Sequence, residues 1–138
     1  MGTSPLRSAA HRLRRDEGSA AVEFVLVGVL LTALTLGVIQ LAFALHVRNT
    51  VLDAASEGAR FAALAGNTPE DGADRTRQLI ALAVGADYAD DVTAGYSDYL
   101  GVPAIRVTVS APLPLVGPFG PPRSLEVTGH AAAETLDG

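Results

Sequence analysis

The first pattern along the chain is a long apolar stretch that follows a short charged leader. From Phe24 to Val47 there are 24 residues without Asp, Glu, Lys or Arg. As an α-helix this stretch would extend about 36 Å, enough to cross a hydrocarbon core of about 30 Å. The mildly polar Thr32, Thr35 and Gln40 are tolerable inside a bilayer. The pattern therefore predicts a transmembrane helix at about residues 24–47.

Beyond the apolar stretch the helical period continues, but only one face stays apolar. That face forms a helix-packing stripe at alternating steps of three and four residues: Val51, Ala54, Gly58, Phe61 and Ala65. This is the spacing of an amphipathic helix, so we predict one long N-terminal helix over residues 19–66, ended by Gly66. Small residues in the stripe permit close helix approach. The sequence leaves open whether other subunits of a filament or the chain's own C-terminal domain occupy the stripe.

Residues 67–138 predict a small domain that combines a helix with an antiparallel sheet. The order Thr68-Pro69-Glu70-Asp71 is typical of a helix start, and Gly85 of its end. Residues 104–110 alternate between apolar and polar side chains, which predicts a strand with one buried face, and Leu125 and Val127 mark its partner. The fold class is therefore α+β.

Two segments of this domain carry no regular pattern. The acidic stretch from Asp87 to Tyr99 lacks EF-hand spacing and is expected to be a solvated loop rather than a calcium site. Of the eleven residues 112–122, five are proline and two are glycine, so they predict an irregular connection. The apolar side chains of this Pro-rich loop would pack on their own domain, on the membrane surface or on another subunit.

Charge is distributed unevenly along the chain. Residues 1–18 hold four arginines against two acidic residues, whereas residues 61–138 hold four arginines against ten acidic residues. A basic leader before a membrane helix predicts a cytoplasmic N-terminus and an extracytoplasmic C-terminal domain. The acidic domain has nothing to neutralise phosphates, so nucleic acid is not an expected partner. Cysteine is absent, which excludes disulfides and lipoprotein acylation.

Catalysis is not expected. The three histidines, His11, His46 and His130, lie far apart in the sequence without metal-ligand spacing. No nucleophile elbow, phosphate loop or dinucleotide fingerprint occurs. We therefore expect neither an enzyme nor a bound cofactor or metal.

The junction between the leader and the apolar stretch has a distinctive arrangement. Gly18 and Ser19 follow the basic leader, and Glu23-Phe24 stand at the fifth and sixth positions after the glycine. A carboxylate at the mouth of a membrane span costs free energy, which calls for a compensating partner. Ala42-Phe43-Ala44 offers a site for signal peptidase, but the apolar stretch exceeds the about 7–15 residues of a secretory signal.

This arrangement resembles the type IV prepilin cleavage signal, in particular its tight-adherence (Tad or Flp) variety. Glu57-Gly58-Ala59-Arg60, which closes the long helix ahead of a small strand-bearing tail, is similar to the TadE-like pseudopilins. The resemblance is strong from Arg14 to Ala65 and loose afterwards. The tight-adherence signal more often has tyrosine where this chain has Phe24.

The resemblance implies a pilin-like fold and a membrane-anchored minor pseudopilin. A prepilin peptidase would cut between Gly18 and Ser19, removing the leader 1–18. Glu23, with the aromatic Phe24 beside it, would then attract the new amine of Ser19 on the same or a neighbouring subunit and so aid assembly. The implied partners are the membrane, the prepilin peptidase, other pilins or pseudopilins and the pilus assembly platform. The implied location is the cell membrane as a single-pass protein, then the pilus or cell surface after assembly.

A rival interpretation is a single-pass, signal-anchored protein. Its extracytoplasmic domain would bind a ligand or cell-wall component, and it would never enter a filament. Hydropathy alone is compatible with both interpretations. Cleavage at Gly18 separates them.

Overall fold

The computed structural model describes residues 5–113 and 124–134 of the chain. It contains the helices α1 (Pro5–Ala63) and α2 (Pro69–Ala83), a short 3-10 turn at Ala86–Tyr88, and the strands β1 (Asp91–Tyr99), β2 (Val102–Pro112) and β3 (Ser124–Ala132). A long N-terminal helix, a second helix and an antiparallel sheet confirm the predicted α+β, pilin-like fold class. The chain divides into two compact units, residues 1–39 and 40–138.

Helix α1 begins earlier and ends earlier than the predicted helix over residues 19–66. It begins at Pro5, so the leader from that residue on is helical. Alanine, leucine and arginine, which favour helix, fill much of the leader. At the other end α1 stops at Ala63, where the Asn67 side-chain amide donates to the Phe61 carbonyl over 2.7 Å and Gly66 takes a φ of 91°. Ala65 therefore lies outside the helix.

The apolar segment within the first unit is suited to lipid. Thr32 donates its hydroxyl to the Gly28 carbonyl and Thr35 donates to the Leu31 carbonyl, both over 2.8 Å. Both hydroxyls are thus satisfied by the helix's own backbone, as hydrocarbon surroundings require. The helix is long and apolar enough to cross a membrane. These features support a single-pass membrane anchor.

The sheet is an antiparallel meander in the order β1-β2-β3. Tyr99 pairs with Val102 across the first turn, and Pro112 pairs with Ser124 at the far end of β2 and β3. The predicted strand at residues 104–110 and its partner around Leu125 and Val127 are confirmed.

The prediction of a solvated loop was wrong for residues 91–99, which form β1. Val92 is buried in the core and Ala94 packs against it, while Asp91 and Thr93 are exposed. Residues 91–99 therefore form a strand because they pair with β2 along their whole length. Cross-strand pairing and packing stabilise a strand more than the intrinsic propensity of its residues does. Of the predicted Pro-rich loop at 112–122, Pro112 ends β2 and Leu113 packs against the core. The rest of the loop lies outside the described residues.

Helix α2 begins with a capping box. The Thr68 hydroxyl donates to the Asp71 carboxylate over 2.7 Å, the Thr68 backbone N–H donates to it over 2.8 Å, and the Asp71 N–H donates back to the Thr68 hydroxyl. The hydrogen bond from the Thr68 hydroxyl, and after it the one from the Thr68 backbone N–H, lower the pKa of Asp71 below its ordinary value because both stabilise the carboxylate. Further along, Arg77 pairs with Asp74 at 2.7 Å and donates to the Val92 carbonyl over 2.8 Å, which ties α2 to the edge strand β1.

The core lies between α1, α2 and one face of the sheet. Its largest fully buried apolar side chains come from all three parts: Val47, Val51, Ile80, Ile105, Val107 and Val109. Alanines of α1 fill much of the remaining contact, so the helix backbone lies close to its neighbours. Thr76 is the fully buried polar residue of α2, and its hydroxyl reaches the carbonyl oxygens of Ala54 and Gly72.

At three glycines, Gly58, Gly72 and Gly129, the backbone lies against the backbone of another helix or strand. A Cβ placed on Gly129 of β3 would lie 2.6 Å from the backbone of Ala55 and Ser56 in α1. A Cβ on Gly58 would lie 2.6 Å from the Gly72 carbonyl oxygen, and one on Gly72 would lie 2.6 Å from the Gly58 carbonyl oxygen. Since such distances are sterically forbidden, α1 contacts both β3 and α2 at points where a side chain does not fit.

We predict that Gly129→Ala lowers the free energy of unfolding by about 1–3 kcal/mol or more, because backbone atoms on both sides must move apart. Gly95→Ala is the matched control, since Gly95 also lies in a strand but a Cβ there meets no atom within 4 Å. It should change stability by no more than about 1 kcal/mol. Chemical unfolding of the full chain in mild detergent measures both. Equal stabilities of the two variants would contradict the close contact of β3 with α1.

Candidate functional site

The predicted cleavage segment lies inside helix α1, in its first quarter and away from either end. Gly18 and Ser19 are both exposed, and a Cβ at Gly18 would have no neighbour within 4 Å. The fold therefore does not require glycine at this position by packing. Glycine inside a helix costs about 1 kcal/mol relative to alanine, so the helix is intrinsically easier to open here than at its neighbours.

Glu23 and Phe24 are also exposed, Phe24 by 80%. Among the ion pairs of the described residues, none involves Glu23. Glu23 lies four residues after Ser19, so the two share one face of α1 with their Cβ atoms about 5–6 Å apart. A positive charge created at Ser19 would thus lie within reach of the Glu23 carboxylate.

The helix-packing stripe is divided by the structure. Val51, Ala54 and Gly58 are buried within the chain's own core, while Phe61 is 37% exposed and Ala65 is exposed beyond the end of α1. In this structure the chain's own domain packs against the first three residues of the stripe, which is one of the two alternatives that the sequence left open. The C-terminal end of the stripe, Phe61 and Ala65, is therefore accessible to solvent in this structure.

Sequence reasoning missed other residues of the buried face. Val47 and Ala55 are fully buried, and so is Ala59. Val47 was assigned to the membrane span, although its spacing of four from Val51 was a signal for the same face. The alanines broaden the face beyond a single stripe, which the spacing of larger residues does not reveal.

A polar groove lies between α1 and α2. Its cavity of about 340 Å³ is lined by Glu57, Phe61, Asp71, Asp74, Arg75 and Gln78. Asp71 already bonds Thr68 and Asp74 already pairs with Arg77. Within residues 5–113 and 124–134, no group of three or more His, Asp or Glu side chains could hold a metal ion.

A comparison with protein-family models found one match, and it lies within helix α1. Residues 18–60 match the model of the TadE-like protein family. The resemblance to the TadE-like family is confirmed for this segment. No curated protein and no solved structure matches the chain.

The matched segment, residues 18–60, covers both the exposed N-terminal part of α1 with the apolar stretch and the part that packs in the core. It begins at Gly18, includes the apolar stretch and ends at Arg60 near the α2 contact. The match and the apolar helix together indicate a membrane-anchored protein associated with the Tad pilus.

We predict that Val51→Thr, a change inside the TadE-like segment, lowers the free energy of unfolding by about 1–2 kcal/mol. It places a hydroxyl in a site with 0% exposure while keeping the side-chain shape. The same substitution at Val102, which is 49% exposed, should cost less than about 0.5 kcal/mol. Thermal or urea unfolding of the full chain in detergent compares them. If Val51→Thr left stability unchanged but weakened assembly, Val51 would face another subunit instead.

Proposed function

We propose that the chain is a minor pseudopilin that is processed by a prepilin peptidase and takes part in assembling a tight-adherence type IV pilus. In this role it is the substrate of an enzyme and not an enzyme itself. The observation that carries the proposal is the TadE-like match, which begins at Gly18, the residue before the expected cut. Its partners would be the peptidase, other pilins or pseudopilins and the assembly platform.

Accessibility supports processing at Gly18. The segment is exposed on all sides of the helix, and no other described element packs against Gly18. A peptidase that binds an extended backbone must unwind α1 locally, and glycine lowers the free energy needed for that step. The lack of a side chain also lets the backbone approach closely to catalytic groups.

Electrostatics supports a role for Glu23 after cleavage. A carboxylate at the edge of an apolar segment is unfavourable unless an opposite charge compensates it, and the described structure provides no ion pair for it. The amine that cleavage creates at Ser19 would supply that charge on the same helix face or from a neighbouring subunit. In a low-dielectric environment this attraction is much stronger than in water.

Orientation follows from the leader. Arg14 and Arg15 precede the apolar stretch, and arginines on one side of a span favour the cytoplasmic side. The unit formed by residues 40–138 would then lie outside the cytoplasm. The rival interpretation, an uncleaved anchor with a binding domain, shares this orientation and differs in the fate of the leader.

We predict that the mature chain begins at Ser19 in cells that contain a prepilin peptidase and keeps its leader in cells that lack one. Gly18→Ala should reduce cleavage by about tenfold or more, because the added methyl group obstructs close approach of the backbone to the peptidase. Intact-mass spectrometry of the membrane-extracted protein measures the N-terminus.

Gly28→Ala is the control for this substitution, since Gly28 is also a helical glycine with no neighbour within 4 Å. It should raise helix stability equally and leave cleavage unchanged. A mature protein that keeps Met1 or Gly2 whether or not the peptidase is present would favour the uncleaved anchor.

We also predict that Glu23→Ala leaves cleavage largely intact but lowers incorporation into assembled pili or pilus complexes by about tenfold or more. Loss of one partner of a desolvated charge pair typically costs about 2 kcal/mol or more. The measurement is the fraction of mature protein recovered with sheared pili or with the purified complex.

Glu23→Gln should behave like Glu23→Ala, because it keeps the shape of the side chain and removes the charge. Glu17→Ala removes one carboxylate from the leader, which is discarded, and should leave incorporation unchanged. Normal incorporation of both Glu23 variants would remove the assembly role of this carboxylate while leaving the cleavage prediction intact.

A further inference from the structure

Strand β1 lies at one edge of the sheet, and half of its backbone groups point away from β2. Leu100 and Gly101 form a two-residue turn with φ angles of 54° and 81°, so Tyr99 and Val102, which flank the turn, are a hydrogen-bonded pair. Along an antiparallel pair of strands, hydrogen-bonded and non-hydrogen-bonded positions alternate. The N–H and C=O groups of residues 92, 94, 96 and 98 therefore point to the open side of β1.

One hydrogen bond agrees with this orientation and shows where the open side is covered. The Arg77 side chain of α2 donates to the Val92 carbonyl over 2.8 Å, so this carbonyl points toward α2 and away from β2. Closer to the turn, no hydrogen bond among residues 5–113 and 124–134 reaches the open side at Ala94, Tyr96 or Asp98. This segment, residues 94–98, is named here the β1 edge.

The β1 edge lacks most of the features that prevent a further strand from pairing. All nine residues of β1 pair with β2 in unbroken register, so residues 91–99 contain no bulge. The strand contains no proline, lysine or arginine, and its charged residues, Asp91 and Asp98, stand near its two ends. A long and regular edge with unpaired backbone groups favours the addition of an extended chain.

The two faces of β1 define the side chains that a fitting strand would carry. Ala94 and Tyr96 pair with core residues of β2, and Tyr96 lines a cavity of about 200 Å³. Asp91 and Thr93 are exposed on the opposite face of the sheet. Because successive side chains of a strand point to opposite faces, an added strand would have apolar residues beside Ala94 and Tyr96 and polar residues in between.

Charge favours a basic partner. Residues 78–105 contain no lysine or arginine but four aspartates: Asp87, Asp90, Asp91 and Asp98. Arg77, the arginine that reaches β1, already pairs with Asp74 at 2.7 Å. Lysine or arginine side chains of another protein would therefore be attracted to this part of the surface, whereas a second copy of the same edge would bring like charges together.

We propose that the β1 edge binds an extended segment of a partner protein in which apolar and basic residues alternate, so that the segment adds a strand to the sheet beside β1. Main-chain hydrogen bonds to residues 94–98 supply the affinity, and the alternating side chains supply the selectivity. The contact goes beyond the proposed function, and it depends neither on cleavage at Gly18 nor on Glu23.

A fluorescently labelled peptide of ten residues, in which lysine and valine alternate, is the probe for this site. It is titrated with the full chain in an uncharged detergent, which offers the peptide no anionic lipid, and fluorescence anisotropy measures the dissociation constant. We expect saturable binding. Replacing every lysine by glutamate should weaken binding at least about tenfold, because the acidic surface then repels the peptide.

A backbone-modified peptide separates strand pairing from simple charge attraction. N-methylation of every backbone amide keeps the charge but removes the N–H donors, so binding should fall at least about tenfold. Unchanged binding of the N-methylated peptide would show charge attraction alone and would overturn the proposal. Failure of the original lysine–valine peptide to bind would overturn it as well.

A proline substitution locates the bound peptide. Ala94→Pro removes an N–H that β2 does not use and places the proline ring on the β1 edge, so binding should weaken at least about tenfold. Ala132→Pro is the matched control at the other edge of the sheet. The Ala133 N–H donates to the Pro103 carbonyl over 3.0 Å, so the neighbouring Ala132 N–H points away from β2. This control should change the dissociation constant less than about twofold.

A pair of charge variants tests the site without changing the backbone. Asp91→Lys combined with Asp98→Lys should weaken binding of the lysine–valine peptide at least about tenfold. Asp53→Lys combined with Glu57→Lys makes the same change of charge at exposed positions of α1 and should have less than about a third of that effect. Equal effects of the two double variants, or equal binding by the two proline variants, would place the peptide elsewhere and overturn the proposal.

Discussion

The C-terminal unit depends on direct backbone contact between α1 and its neighbours. Gly129 lets β3 lie against Ala55 and Ser56, and Gly58 and Gly72 let the two helices cross where a Cβ on either glycine would lie 2.6 Å from the carbonyl oxygen of the other. Contacts this close leave little freedom for sliding, because interiors are packed as densely as organic crystals. The helix is thus part of the core rather than a stalk attached to it. A force on this part of α1 is carried directly by the sheet and by α2.

The periodic parts of this fold could be predicted from the sequence, and the contacts between distant residues could not. The apolar stretch, the amphipathic continuation, α2 and the alternating strand β2 each have a local signal that the structure confirms. Strand β1 was missed because its aspartates suggest a loop, and its burial of Val92 depends on pairing with Val109. Gly58 was found as a small residue at helical spacing. Gly72 and Gly129 were missed, since their roles depend on residues far away in the sequence.

The candidate site shows the same division between local and non-local information. Gly18 and Glu23 were predicted from their spacing, the charge pattern and the resemblance to a prepilin signal, and both lie on an exposed helix surface. No packing contact among the described residues explains either residue, in keeping with the roles proposed for them in processing and assembly. The opposite holds for Val51, which the chain's own core explains fully. Sequence periodicity cannot separate these cases, because a face that packs within a subunit and one that packs between subunits have the same spacing.

The packing of one face of α1 within the chain's own core limits which faces of this helix other proteins can contact. The face of α1 that carries Val51 and Gly58 is already occupied, so no second helix can use it without displacing the sheet. Within the described part of α1, the apolar stretch and the flank near Glu57 and Phe61, beside the polar groove, stay accessible to lateral partners. The first surface is apolar and the second is mainly acidic. Helix association through the apolar stretch would therefore tolerate many partners, whereas the acidic flank would select among them by charge.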